Sequence, residues 1–268
     1  MSIGLQSGSP VSVDASVNKG RSSGEGTVVT HTGTTVTGES GVRVEAGRNM
    51  AVEGSRIAGN RVLVEVGRDL TMTSLQDTNI YTHREKNSGL QVSYNFNKIT
   101  GSPLSSRTNM DSSYRSVTEQ AGIYAGQGGY DVSVGKATRL KGAVIASEGP
   151  ANQNKVTTKG LYVSNIENTA NYTATGSGGS GLAGVASQSL GGLSTKGQAS
   201  STTRSAIAEG LIKAAEGDSV DTVNRNTENA LQALKPIFDK KSVEEKLALS
   251  TLLSEEGFKL VGDIATKQ

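Results

Sequence analysis

The chain has no cysteine and no tryptophan, and only 4 prolines, 3 phenylalanines and 2 histidines in 268 residues. Without cysteine there is no disulfide scaffold, and no thiolate to complete a zinc site around the histidines. Scarce proline and the lack of a glycine at every third position exclude collagen. So few aromatic residues argue against a globule built on a thick aromatic core. No stretch offers the roughly 18 apolar residues of a membrane-spanning helix. The N-terminus, Met1–Pro10, lacks both a basic n-region and an apolar h-region, so no export signal is expected in it. A net charge of +2 leaves no electrostatic footprint for nucleic acid, which is not expected as a partner.

What is abundant is glycine, 34 residues, and with serine and threonine it makes up about a third of the chain. Such a composition suits a fold that buries little per residue, relies on backbone hydrogen bonds and turns often. Internal repeats give it form. Val42, Val44, Met50 and Val52 recur 20 positions later as Val62, Val64, Leu70 and Met72, and a third copy places Val132 and Leu140. Within each copy apolar and polar residues alternate, the period of a strand with one buried face. Gly47, Asn49 and Gly54 mark the turns of the first copy, Gly67 and Asp69 those of the second, and Gly135 and Gly142 those of the third. Residues of this type tolerate positive φ, and that is the expected reason for them here. Proline is absent from 11–102 and 104–149, as strands bonded on both sides require.

The expected fold is mainly β: a right-handed parallel β-helix, or solenoid, over residues 1–173. A hairpin or loop is inserted at 77–125, with Leu90–Asn97 as a strand and Asn109–Gln120 as a polar loop. Residues 174–203 read as a Gly/Ser-rich linker or a weakly packed sheet. Residues 204–268 read as a small all-α module of three helices. The first ends at Gly217 and the second before Pro236; the third is opened by a capping box, Ser242-x-x-Glu245, and carries Leu249, Leu252, Leu253, Leu260 and Ile264 on one face.

Several stretches carry a family resemblance. Val42–Gln76, the run Ser116-Val-Thr-Glu-Gln-Ala-Gly-Ile-Tyr-Ala-Gly126 and Gly142–Ser147 resemble the haemagglutinin-repeat region of filamentous-haemagglutinin-type exoproteins, including contact-dependent growth inhibition effectors. Leu234–Asp239 with Phe258–Asp263 is similar to the helical segment preceding their pretoxin region. The resemblance spans roughly 10–268. It implies two-partner secretion through an outer-membrane transporter, a place on the bacterial cell surface or outside it, and adhesion or delivery of a toxin to a target cell. The family's secretion domain, Val-Glu-Asn-Asn motif and toxin domain are not found, so an internal or truncated piece of such a protein is expected.

Sites of chemistry are sparse. His31 and His83, 52 residues apart, read as surface or loop residues. Glu45, Glu53, Glu65 and Asp69 fit the paired acids of a polysaccharide-active β-helix, but Glu45 and Glu65 alternate with inward valines and so face solvent. The glycine-rich runs 126–129 and 176–181 lack the Lys-Ser/Thr of a phosphate loop. No catalytic residue, metal or cofactor is assigned. The strand 90–97, with Val92, Tyr94 and Phe96 on one face, fits an ordinary half-buried strand, and a transient membrane contact is its alternative reading. The favoured function is a non-catalytic stalk or translocation segment. A carbohydrate-active enzyme, a toxin within the helical tail and a non-functional remnant stay open beside it.

Overall fold

Alternation over Val42–Val66 sets inward valines on strands that repeat every 20 residues, and these strands stack in register. A computed structural model describes residues 2–3, 12–95, 98–180 and 193–249. Strands β1 (Ser2–Ile3) and β2 (Ser12–Val29) come first. The chain then makes a pass of three short strands, β3 (Thr35–Gly38), β4 (Val42–Ala46) and β5 (Met50–Glu53), and a second of β6 (Arg56–Val66) and β7 (Leu70–Thr73). Strands β8 (Gln76–Asn95) and β9 (Lys98–Val117) leave as a hairpin. A third pass holds β10 (Gly122–Val134) and β11 (Ala137–Lys141), and a fourth β12 (Val144–Ser147) and β13 (Lys155–Ser164). Strands β14 (Ile166–Ser180) and β15 (Leu193–Thr203) leave again, and β16 (Ala206–Ile207) and β17 (Leu211–Gly217) make the last pass.

The passes pair in parallel and form one curled sheet of eleven strands. Its inward residues make ladders. Val36, Ile57, Ile123, Ile145 and Ile207 are successive partners in one column. Val44, Val64, Val132, Val156 and Ile212 are partners in the next, and Val52, Met72, Leu140 and Val163 in the third. Val62, Val64, Leu70, Val132 and Leu140 are buried outright; on the first pass Val52 is buried too, whereas Val42, Val44 and Met50 are half-buried. Each fully buried side chain of this kind stabilises the fold by about 1.5–3 kcal/mol.

The corners use glycine for a different reason from the expected one. Gly47, Gly67 and Gly135 do not have positive φ. They stack: a Cβ on Gly67 would lie 2.3 Å from the Gly47 carbonyl oxygen, and one on Gly135 2.3 Å from that of Gly67. The close approach of successive corners excludes a side chain at Gly67 and Gly135. Asn49 and Asp69 continue the corner as a ladder, with Asn49 Oδ1 accepting the Asp69 N–H at 3.4 Å and Asp69 Oδ1 the Ala137 N–H at 3.4 Å. Positive φ occurs instead at Gly54 and Gly142, at 55° and 58°.

Other expectations are corrected. Residues 12–29 are not rungs: β2 runs antiparallel to β8 over its whole length. Asn109–Val117 belongs to β9, not to a loop, because β14 pairs with it on its far side. Of the two readings for 174–203, the described residues show a sheet: residues 174–180 continue β14, and 193–203 are β15. Residues 206–217, read as a helix, are strands, because β17 stacks on β13 and its Ile212 and Ala214 pack against the core. The second expected helix is irregular chain apart from a single turn at Val220–Thr222. The third begins at 240, three residues early, and is described to 249; Leu252, Leu253, Leu260 and Ile264 lie outside the described residues. Its cap is Asp239, whose Oδ1 accepts the Ser242 N–H at 2.8 Å, so Ser242 is capped rather than capping.

Candidate interaction surface

Strands β2, β8–β9 and β14–β15 form the second sheet, antiparallel, in the order β1-β2-β8-β9-β14-β15. All of them join the curled sheet between its third column and its first. A buried polar knot fixes that corner. Ser74 Oγ donates to the Gly142 carbonyl at 2.6 Å and accepts the Ala121 N–H at 2.9 Å. Gln120 Nε2 donates to the carbonyls of Gly142 and Arg204, at 3.0 and 2.8 Å. Asn168, fully buried, accepts the Val117 N–H at 2.9 Å and donates to Thr203 Oγ1 at 2.9 Å and the Gln232 carbonyl at 3.1 Å. From this root β8 and β9 run 20 residues each, about 65 Å of strand.

The two faces of the antiparallel sheet differ. One carries Tyr81, His83, Met110, Tyr172 and Ala174, set side by side by strand register. The chain after β17 crosses the root onto this face: Tyr114 donates through its hydroxyl to the Leu234 carbonyl at 2.8 Å, and Ser116 Oγ accepts the Leu234 N–H at 2.9 Å. Phe238 then packs on Tyr81 and Tyr172, with ring centroids 5.4 and 5.8 Å apart. Val243 and Leu247 of the helix over 240–249 close over Met110 and Ala174, while Leu249, from the expected apolar stripe, is exposed. His83 therefore is no surface residue: it lies 7% exposed in β8, opposite Met110. His31 is near the root, where its N–H donates to Asp77 Oδ1 at 2.7 Å.

The opposite face is open. Toward the free end of the hairpin it presents Val17, Leu90 and Pro103 in one cross-strand row, and Tyr94 opposite Ile99. Val17, Leu90, Tyr94 and Ile99 are 78%, 51%, 47% and 69% exposed. Phe96, read from sequence as part of this stripe, lies outside the described residues. Four residues nearer the root, Arg21, Lys86 and Arg107 stand directly opposite one another on three adjacent strands. Spacing along the chain could not reveal that row, because only register brings the three together.

The acids of the first sheet are outward and shared. Arg43 bonds both Glu45 and Glu65, the latter at 3.1 Å, which raises its own pKa further. Asp69 pairs with Arg139 at 3.2 Å. An open groove of ≈ 540 Å³ runs past Glu45, Glu65, Asp131 and Lys155, with no aromatic residue among the described lining. Inside, the Tyr130 hydroxyl donates to the Ala208 carbonyl at 3.1 Å, and burial pushes its pKa far up. Among the described residues no group of His, Asp and Glu could hold a metal ion, and no helix is long and apolar enough to cross a membrane.

A mainly-β chain whose repeats stack in register, with hairpins leaving the stack, is what these residues build. Residues 1–90 match the family described as Hemagglutinin repeat. The chain is 36% identical over 276 residues to a tRNA nuclease CdiA of Escherichia coli (strain NC101), covering 96% of this chain and 8% of that protein. It is 31% identical to a tRNA nuclease CdiA of Yersinia mollaretii, over 99% of this chain and 9% of that protein. A deoxyribonuclease CdiA of Yersinia pseudotuberculosis is 34% identical over the whole chain and 26% of its own length. No solved structure matches. Over nearly its whole length the chain is similar to these CdiA proteins, with the Hemagglutinin repeat in its first third, and it spans less than a tenth of the first two relatives.

Proposed function

We propose that this chain is a non-catalytic stalk and translocation segment of a two-partner-secreted surface protein that delivers a toxin to neighbouring cells. In this reading the curled sheet is a right-handed β-helix that forms the stalk. The antiparallel sheet is an arm that projects from it toward the target envelope. An outer-membrane transporter exports the whole protein to the cell surface. The observation that carries the reading is the common root: a 42-residue hairpin leaves the stack after Ser74, and the stack resumes in register at Gly122. A chain that needed only a stalk would have no use for an arm of this length. Glu45 and Glu65 of the outer groove share an arginine and have no sugar-stacking aromatic beside them among the described lining, which favours the stalk over a polysaccharide-active enzyme.

A chimera tests this. This chain replaces the matching segment of the Escherichia coli NC101 relative, and surface display and growth inhibition of co-cultured cells are scored with and without residues 76–117. Display in both and inhibition only with the hairpin is the expected result. Full inhibition without the hairpin would refute the arm's role.

A further inference from the structure

The row Arg21–Lys86–Arg107 is unusual on electrostatic grounds. Like charges directly opposite in a sheet destabilise it, and no ion pair to an acid is present for any of the three among the described residues. Lys19, one row further out, adds a fourth cation with no ion pair among the described residues. One row nearer the root the pattern ends, because Arg84 is held by both carboxylate oxygens of Asp111, at 2.7 and 2.8 Å. The unbalanced charge is thus confined to one band of the open face. Two hollows of ≈ 450 and ≈ 530 Å³ flank Lys86 and Arg107, and Ser23, Ser105, Thr175 and Ser177 supply hydroxyls around them. Cations with hydroxyl donors at their side suit phosphate oxygens.

The same face is apolar beyond the basic band. Leu90 lies four residues beyond Lys86, about 13 Å along the strand, and the exposed Val17, Leu90, Tyr94 and Ile99 lie from there to the free end. An apolar end followed by a basic band is the profile of a protein seated in a membrane surface. Its side chains enter the acyl boundary while cations meet the headgroup phosphates. We infer that the arm docks on anionic phospholipid, with Val17, Leu90, Tyr94 and Ile99 inserted and Lys19, Arg21, Lys86 and Arg107 on the lipid phosphates. This rests on the reading of the hairpin as an envelope-contacting arm and names the chemistry that arm recognises.

Co-sedimentation of the full chain with vesicles tests it, using phosphatidylcholine alone or mixed with phosphatidylglycerol. The chain should sediment with the mixed vesicles only. The triple variant Arg21→Gln, Lys86→Gln, Arg107→Gln should bind them at least tenfold more weakly, with an unchanged circular dichroism spectrum. Leu90→Ser with Tyr94→Ser should also weaken binding, which a purely ionic contact would not show. Equal sedimentation with both kinds of vesicle would overturn the anionic assignment and leave the arm's membrane contact standing. Sedimentation with neither would overturn both. Calorimetric binding of inorganic phosphate without sedimentation would assign the band to a free anion and overturn the lipid.

Discussion

Asn168 Oδ1 accepts the backbone N–H of Val117 at 2.9 Å, joining the end of one hairpin to the start of the next across 51 residues. The same side chain meets Thr203 and Gln232, so three stretches of chain depend on one buried amide. Replacing Asn168 by Leu leaves the Val117 N–H and its neighbours unpaired in the interior. Each such group costs about 1–3 kcal/mol, so a loss of about 3 kcal/mol or more is expected, read as a fall in Tm. An unchanged melting curve would show that the knot does not hold the root.

The corner glycines give a paired prediction. Gly67→Ala sets a Cβ 2.3 Å from the Gly47 carbonyl oxygen, whereas a Cβ on Gly47 meets nothing within 4 Å. Gly67→Ala should therefore destabilise by about 1–3 kcal/mol, and Gly47→Ala should be close to neutral. Denaturant titration of the two variants distinguishes them. Equal costs would mean that the corners do not stack.

The helix over 240–249 should respond to acid through its cap. Bonds from the hydroxyl and the backbone N–H of Ser242 hold the Asp239 carboxyl below its usual range. A depressed folded pKa stabilises the helix fully above the unfolded value near 4, and the contribution is lost as pH falls through the lower folded value. The Ser242 amide shift, followed by NMR, should titrate there in the natural sequence. In Asp239→Asn, which caps without titrating, it should not. A shift that titrates equally in both would remove Asp239 as the cause.

Because the chain has no cysteine, stacking can be tested by a single introduced pair. Glu65 and Ser133 are exposed parallel partners on successive passes, separated in sequence by the whole hairpin. Neighbouring strands lie about 4.8 Å apart, within the Cα range of a disulfide. Glu65→Cys with Ser133→Cys should close under mild oxidation. Thiols that stay free would contradict the register.

The repeats were legible because burial and alternation coincide in them: Val62, Val64 and Val66 all point into the core. The antiparallel sheet was only half legible. In β2 the described side chains are all exposed, and apolar alternation is confined to Val13, Ala15 and Val17 at its start, so its full-length pairing with β8 arises from partners roughly 50–85 residues away. Residues 206–217 show the converse. Ala206, Ile207, Leu211 and Ile212 fit a helical spacing, but stacking on β12 and β13 overrides that preference. The apolar stripe of the arm was partly visible, through Val92 and Tyr94. The basic row was not, since Arg21, Lys86 and Arg107 share no spacing along the chain.

In the proposed function the open face of the hairpin, not the stack, meets the target envelope. A cysteine at Leu90, labelled with an environment-sensitive fluorophore and compared with the same label at Arg43 on the outside of the stack, tests this directly. On mixing with target-cell envelopes the emission from position 90 should shift to the blue while that from 43 stays constant. A shift at 43 with none at 90 would contradict it.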